Sequence, residues 1–293
     1  MSSQMSITAK TSDWLHRHRR SRLALLLSAP MLWLVVAYLG SLAVMFISAF
    51  WSTDSFTGSL VKRFTTDNFH TLITESVYRT IAIRSIVIAT LVTIIDAVLA
   101  MPVAFFMAKV LSVRTRRIMV ALVLLPLWAS YLVKAYAWRT IFSNGGVLAW
   151  LVSPLGIHTP GYGLGATTVV LAYLWLPYMI LPIFAGLERL PDSLLDASSD
   201  LGANSWRTFR SVVLPMTYPA FIAGSIFTFS LSMGDYITVK IVGGKTQLFA
   251  NVVYDNIGTA GNLPFAAAAA MVPVVTIVAY LLLVRRSGAL NNL

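Results

Sequence analysis

The sequence predicts an all-α polytopic membrane protein of six transmembrane helices with both termini in the cytoplasm. Three observations predict it. Apolar residues make up 57% of the 293-residue chain and charged residues 11%, against roughly 45–50% and about 25% in soluble domains. Too little charge is present to cover a soluble surface. Apolar runs of spanning length, about 20 residues, recur along the whole chain. The basic residues segregate to alternate connections, as the positive-inside rule requires.

Taken in order, the predicted spans are 23–50, 83–108, 118–142, 167–187, 218–239 and 265–284. The first run exceeds the 7–15 residues of a cleavable signal's apolar region, so it is an anchor. Lys10, Arg17, Arg19, Arg20 and Arg22 precede the first span, and Lys109, Arg114, Arg116 and Arg117 follow the second. Arg189, Arg207 and Arg210 lie between the fourth and fifth, and Arg285 and Arg286 follow the sixth. The other side carries only Lys62, Arg63, Arg79, Lys240 and Lys245, with Arg84, Lys134 and Arg139 inside spans. The net charge of +11 is therefore mostly a topology signal, not a nucleic-acid footprint. The organisation is a basic cytoplasmic tail (1–22), a transmembrane domain (23–286) and a short cytoplasmic tail (287–293). The absence of cysteine excludes disulfides, thiolate metal sites and cysteine catalysis.

The cytoplasmic segment 188–215 is more than a connector. Pro191 suits a helix start, and Leu194, Leu195, Ala197 and Leu201 recur at helical spacing. Asp192, Asp196 and Asp200 form an acidic stripe, favoured near a helix N-terminus. Gly202-Ala203 breaks this helix; a second amphipathic piece follows with Trp206, Phe209, Val212 and Val213, and Leu214-Pro215 closes it before the fifth span. The predicted shape is a helix–turn–helix on the cytoplasmic face.

The run Asp196-Ala197-Ser198-Ser199-Asp200-Leu201-Gly202-Ala203, with Phe209 and Leu214-Pro215 beyond it, resembles the EAA loop of membrane subunits of binding-protein-dependent ABC importers. Asp196 stands where that family usually has Glu, and Ser198 where it usually has Ala; charge and small size are kept. The resemblance implies the type I importer permease fold in a bacterial inner membrane. It also implies that Asp196, Ala197, Ser198, Asp200, Gly202, Ala203, Phe209, Leu214 and Pro215 couple the chain to an ATPase. The implied partners are a second, homologous permease, two ATP-binding subunits holding ATP and magnesium, and an extracytoplasmic substrate-binding protein. No cofactor or metal is expected on this chain.

Pro126, Trp128, Ser130, Tyr131, Lys134, Tyr136, Ala137 and Trp138 in span three, with Phe229, Gly234, Asp235 and Tyr236 in span five, look like polyamine permeases. Related permeases for ferric iron, thiamine or sulfate share much of this pattern. Aromatic faces attract ammonium groups by roughly 0.5–2 kcal/mol, so Trp128, Tyr131, Tyr136, Trp138, Tyr173, Trp175, Tyr178 and Tyr236 suit a cationic cargo. They equally suit interfacial belts. Intramembrane charges are expensive and mark interiors or pathways. The candidate translocation path is therefore Asp96, Trp128, Tyr131, Lys134, Trp138, Asp235 and Tyr236. Lys134 and Asp235 reach similar depths and could pair; Asp96 is expected to meet a partner-subunit charge or line the cavity. Arg84 and Arg139 lie near outer ends, where they snorkel.

Enzymatic chemistry finds no support. Gly243-Gly244-Lys245-Thr246 resembles the end of a phosphate-binding loop, but Val239 stands where that motif needs glycine. The histidines are scattered, and no serine has a nucleophile elbow. A secondary transporter is the rival class; it would show broken helices around ion sites or inverted halves. No such repeat is seen, and this class would leave the 188–215 loop unexplained.

Overall fold

The structure is a computed structural model that describes residues 27–28, 30–54, 57–155 and 161–286. The predicted tails, the start of the first span and His158 lie outside the described residues. The chain is helical almost throughout, because a segment surrounded by hydrocarbon must satisfy its backbone N–H and C=O groups internally. Helix α1 (Pro30–Ser48) leads to a short hairpin of β1 (Ser52–Thr53) and β2 (Leu60–Val61), antiparallel with Ser52 opposite Val61. Then follow α2 (Asp67–Thr74), α3 (Ser76–Val110), α4 (Val113–Trp128), α5 (Tyr131–Phe142) and α6 (Val147–Val152). The remaining helices are α7 (Leu164–Glu188), α8 (Asp192–Asp200), α9 (Ser205–Gly234), α10 (Ile237–Val242), α11 (Phe249–Gly258) and α12 (Leu263–Arg286).

Among the described residues, α1, α3, α7, α9 and α12 are long and apolar enough to cross a membrane. The sixth crossing is the pair of α4 with the α5–α6 segment, bent by 88°. The expected continuous third span (118–142) is thus corrected to a broken one. Pro126 lacks an N–H, and its ring crowds the preceding turn; the helix stops two residues later, with Ala129 and Ser130 extended. At 16 residues, α4 reaches roughly 24 Å, short of the ~30 Å hydrocarbon core.

The fifth span is corrected at both ends. It runs unbroken from Ser205, so Leu214-Pro215 lies inside it and closes nothing. Residues Phe209–Val213 widen to i→i+5 turns just before Pro215, which relieves the carbonyl clash that proline imposes. At the other end it stops at Gly234, and Asp235 is extended (φ −82°, ψ 112°).

The core is a three-helix junction of α3, α7 and α9. Near the 188–215 loop, Ala100, Met101, Ala104 and Met107 of α3 pack with Met179, Ile183 and Leu187 of α7 and with Val213 of α9. Close approach requires small residues there. A Cβ on Gly224 would lie 2.6 Å from Met179 Sδ and 3.2 Å from its Cα. The junction also encloses Asp96, 0% exposed, with neither carboxyl oxygen hydrogen-bonded, and the unpartnered hydroxyls of Thr228 and Ser232. Asp96 therefore neither lines a described cavity nor reaches a surface where a partner-subunit charge would meet it.

Replacing Gly224 by leucine is expected to wedge α7 from α9, at an overpacking cost of about 1–3 kcal/mol. The melting temperature of the detergent-solubilised protein should fall, and Gly224→Ala should lower it less.

Candidate functional site

Two places concentrate side chains that packing alone does not require. The first is the 188–215 segment. Helix α8 ends in a paired-bond cap: the Ala203 amide donates to Ser198 O at 3.1 Å and the Gly202 amide to Ser199 O at 2.9 Å. This geometry needs a left-handed residue after the helix, and Gly202 supplies it with φ +75°. Asn204 then caps α9 by accepting the Arg207 amide at 2.8 Å. The hydroxyls of Ser198 and Thr208, 2.8 Å apart, tie the two helices together.

The segment is anchored to the bundle from beneath. Leu190, Leu195, Phe209 and Val213 join the α3–α7 cluster. Lys109 donates to Leu190 O at 2.5 Å and pairs with Asp192 at 2.7 Å, while Arg116 pairs with Glu188 at 3.1 Å. The Lys109 hydrogen bond and charge hold the exposed Asp192 carboxyl below the usual carboxylate range. The acidic stripe is therefore divided: Asp192 faces the bundle, while Asp196 and Asp200 are exposed. Leu201, 89% exposed, and Trp206, 67% exposed, present apolar surface at the tip beside them. Of the predicted coupling residues, Asp196, Ala197, Asp200 and Gly202 face outward, while Ser198, Ala203 and Phe209 are half-buried framework. Leu214 and Pro215 belong to α9 itself.

The second place lies where the two helix breaks meet. A cavity of about 270 Å³ is lined by Tyr131 of α5, Trp175 of α7, Ser230, Leu231 and Gly234 of α9, and Asp235, Tyr236 and Ile237 beyond it. Asp235 is buried, and three donors hold it: the Tyr131 hydroxyl, the Thr238 amide at 2.9 Å and the Thr238 hydroxyl at 3.0 Å. The Ile237 amide is a fourth donor to the same carboxylate, so what it offers a ligand is its charge rather than an empty acceptor site. The Tyr131 and Trp175 rings stack with centroids 6.0 Å apart, and Tyr178 continues the column 5.9 Å from Trp175. Outside, Tyr236 stacks on Tyr254 at 4.5 Å, and Lys240 lies 4.1 Å from the Tyr254 ring centroid while pairing with Asp255 at 2.6 Å. The chemistry on offer is one buried carboxylate flanked by π-faces.

These features have counterparts in known proteins. The chain matches, over residues 100–286, the model of the family described as binding-protein-dependent transport system inner membrane component. It is 42% identical over 287 residues to the inner membrane ABC transporter permease protein YdcU of Escherichia coli (strain K12), covering 92% of this chain and 91% of that one. This protein is a member of the binding-protein-dependent ABC permease family. It is thus an inner-membrane transport subunit. The spermidine/putrescine transport system permease protein PotB of Escherichia coli (strain K12) is 31% identical over 267 residues, covering 89% and 95% of the two chains. Among solved structures, a chain of the bacterial alginate ABC transporter, in complex with its alginate pentasaccharide-bound periplasmic protein, superposes with TM-score 0.71 at 14% identity. That match covers 92% of this chain and 95% of that one. A chain of the MetNI methionine ABC transporter superposes with TM-score 0.54 at 16% identity over 71% of this chain and 92% of that one. At such identities these two show the fold.

Within this permease, the structure gathers Tyr131, Asp235 and Tyr236 of the predicted path at one cavity and leaves the others elsewhere. Lys134 does not pair with Asp235: its Nζ donates to Pro126 O at 3.0 Å, across the α4–α5 bend. Trp138 is packed between Phe142 and Tyr173, Trp128 is 89% exposed beside the bend, and Asp96 is enclosed. Thr238, Ser230 and Gly234 were not singled out from sequence as lining or supporting this cavity. An Asp two residues before a short helix, with Thr three residues after it, is a cap-type spacing that signals Thr238. Among the described residues, no cluster of His, Asp and Glu could hold a metal ion.

The Asp192 shift has a definite sign. Its folded-state value lies below the unfolded one, so its contribution is present above the ordinary carboxylate value and lost as pH falls through the lowered one. Protection of the α8 amides, corrected for the pH dependence of intrinsic exchange, is expected to fall when a wild-type sample is acidified below about pH 4. In Asp192→Asn, exchange should be faster already at neutral pH and should show a smaller acid response.

Proposed function

We propose that this chain is the permease of an ATP-driven importer of polyamines or similar flexible ammonium cations. The observation that carries this reading is the cavity in which Asp235 lies among Tyr131, Trp175 and Tyr236. A primary ammonium group offers three donors and no acceptor. It complements the negative charge of a carboxylate and gains roughly 0.5–2 kcal/mol from each desolvated aromatic face. The volume of about 270 Å³ suits one end of an elongated cation and lets the rest extend toward a partner. The likeness to PotB supports the same class.

Both termini lie in the cytoplasm in this reading, as the distribution of Lys and Arg indicates. A second, homologous permease completes the pore. The outward face of the 188–215 loop, with Asp196, Asp200, Leu201 and Trp206, docks on an ATP-binding subunit that supplies ATP and magnesium. An extracytoplasmic binding protein delivers cargo to the opposite end. Closure of the ATPase pair displaces the loop, and the buried attachment through Leu190, Phe209 and Val213 passes that displacement into α3, α7 and α9. The ion pairs that pin Asp192 and Glu188 keep the loop from moving independently.

Uptake by the reconstituted complex tests both halves. Asp235→Asn keeps the shape and removes the charge; it should lower putrescine and spermidine uptake at least tenfold while assembly with the ATPase persists. Equal uptake by the variant, or competition by ferric iron or thiamine but not by spermidine, would refute the cargo assignment. Gly202→Asp places charge on the docking face at a position with no neighbouring atom within 4 Å of a Cβ, and Asp tolerates the left-handed region. It should therefore insert normally yet lose transport and co-purification with the ATPase. Wild-type transport by this variant would count against the docking assignment.

A further inference from the structure

At the end of the bundle opposite the 188–215 loop, a separate cavity of about 290 Å³ opens between the start of α3 and the α10–α11 connection. Its polar lining is Ser76, Thr80, Arg84, Lys245 and Gln247. No carboxylate lines it, and among the described residues neither Arg84 nor Lys245 is in an ion pair. Two cations side by side, one on a membrane-spanning helix, repel each other and call for an anion.

The walls are fixed. The Phe249 amide donates to the buried Ser85 hydroxyl at 2.8 Å, Ile81 packs in one cluster with Phe249, and Ile88 in another with Leu248. Arg84 and the Lys245–Gln247 strip are therefore held opposite each other. The depth is also defined. Arg84 lies roughly 37 Å along α3 from Lys109, at about 1.5 Å per residue. That exceeds the ~30 Å hydrocarbon core and falls within the ~40–45 Å that includes both headgroup layers. With Lys109 at one membrane surface, Arg84 is at headgroup level on the other. Below Arg84, at spacings of three and four, Val87 (55% exposed), Leu91 (43%), Ile94 (56%) and Val98 (67%) form an uncovered apolar stripe on the same helix face. It runs roughly 16 Å from Val87 to Val98, about half of the ~30 Å core, which is the depth of one leaflet.

We propose that this cavity binds the phosphate of an anionic glycerophospholipid, with one acyl chain along the Val87–Val98 stripe. The Arg84 guanidinium and Lys245 ammonium take the phosphate oxygens, as these groups do elsewhere, and Gln247 and Thr80 face the ester and glycerol oxygens. A zwitterionic headgroup is disfavoured, because its ammonium would find no carboxylate in the lining. The site is distinct from the Asp235 cavity and stands whatever the cargo is.

Native mass spectrometry of the intact complex, delipidated and then titrated with phosphatidylglycerol or phosphatidylethanolamine, tests this. Wild type should retain a phosphatidylglycerol adduct in clear preference to phosphatidylethanolamine. The Arg84→Gln/Lys245→Gln double variant should bind it at least tenfold more weakly, and Arg84→Lys should recover part of the loss. Because Lys245 is exposed, Lys245→Gln alone should assemble normally and still show a several-fold loss. Equal retention by wild type and Lys245→Gln would overturn the proposal. So would displacement of the lipid by millimolar inorganic phosphate, which would make the occupant a free anion.

Discussion

A helix that stops inside an apolar slab leaves carbonyls and amides that no water can satisfy, and the protein must supply their partners. That requirement organises the interior of this permease. Helix α4 ends short of the far surface, and Lys134 reaches back across the bend to a carbonyl of its last turn, 3.0 Å away. Helix α9 ends at Gly234, and the Asp235 carboxylate accepts the amide of Thr238 at the start of the next helix. The two breaks face each other, so Tyr131, on the first turn after one, hydrogen-bonds the carboxylate that caps the other. The cavity follows from these two repairs: extended backbone at both breaks takes less room than helix, and the aromatic column of Tyr131, Trp175 and Tyr178 forms its wall.

The same reasoning separates groups that serve the backbone from groups left over. Lys134 serves the backbone at Pro126 and does not reach Asp235. Asp235 is held by the Tyr131 hydroxyl, the Thr238 amide and hydroxyl and the Ile237 amide, and it keeps its place on the cavity wall. Asp96 is neither repaired nor open: it lies in the α3–α7–α9 junction among apolar neighbours and the unpartnered hydroxyls of Thr228 and Ser232.

The number of spans and the 188–215 loop were legible in the sequence because each rests on a local signal: run length, alternation of basic connections, and a helix–glycine–helix pattern with its acidic stripe. The breaks were not. Run length measures hydropathy alone, so 118–142 reads as one span although its two halves meet at 88°. Likewise Leu214-Pro215 reads as a stop, because the local widening over Phe209–Val213 that accommodates Pro215 has no signature in residue type. The pairing of Lys134 with Asp235 failed for the same cause: depth along two straight helices was the only guide, and one helix is not straight. Tyr131, Asp235 and Tyr236, three of the seven path candidates named from sequence, share one cavity, whereas their assembly with Trp175 depends on how α7 is rotated, which no single helix encodes.

The unbroken run of α9 connects the two halves of the molecule. Its first turn is the second arm of the 188–215 loop, and its last residue precedes Asp235. Its 30 residues extend roughly 45 Å. Between these ends it is pressed against α7 at Gly224, where Met179 leaves no room for a side chain. A second close approach lies about 6 Å nearer the loop, where a Cβ on Gly186 would lie 2.7 Å from that of Ala220. Helix α9 is therefore held against α7 over more than a turn, not at one point. Close packing along this stretch ties the loop end of α9 to the end that precedes Asp235, and a filler residue at Gly224 would loosen that tie.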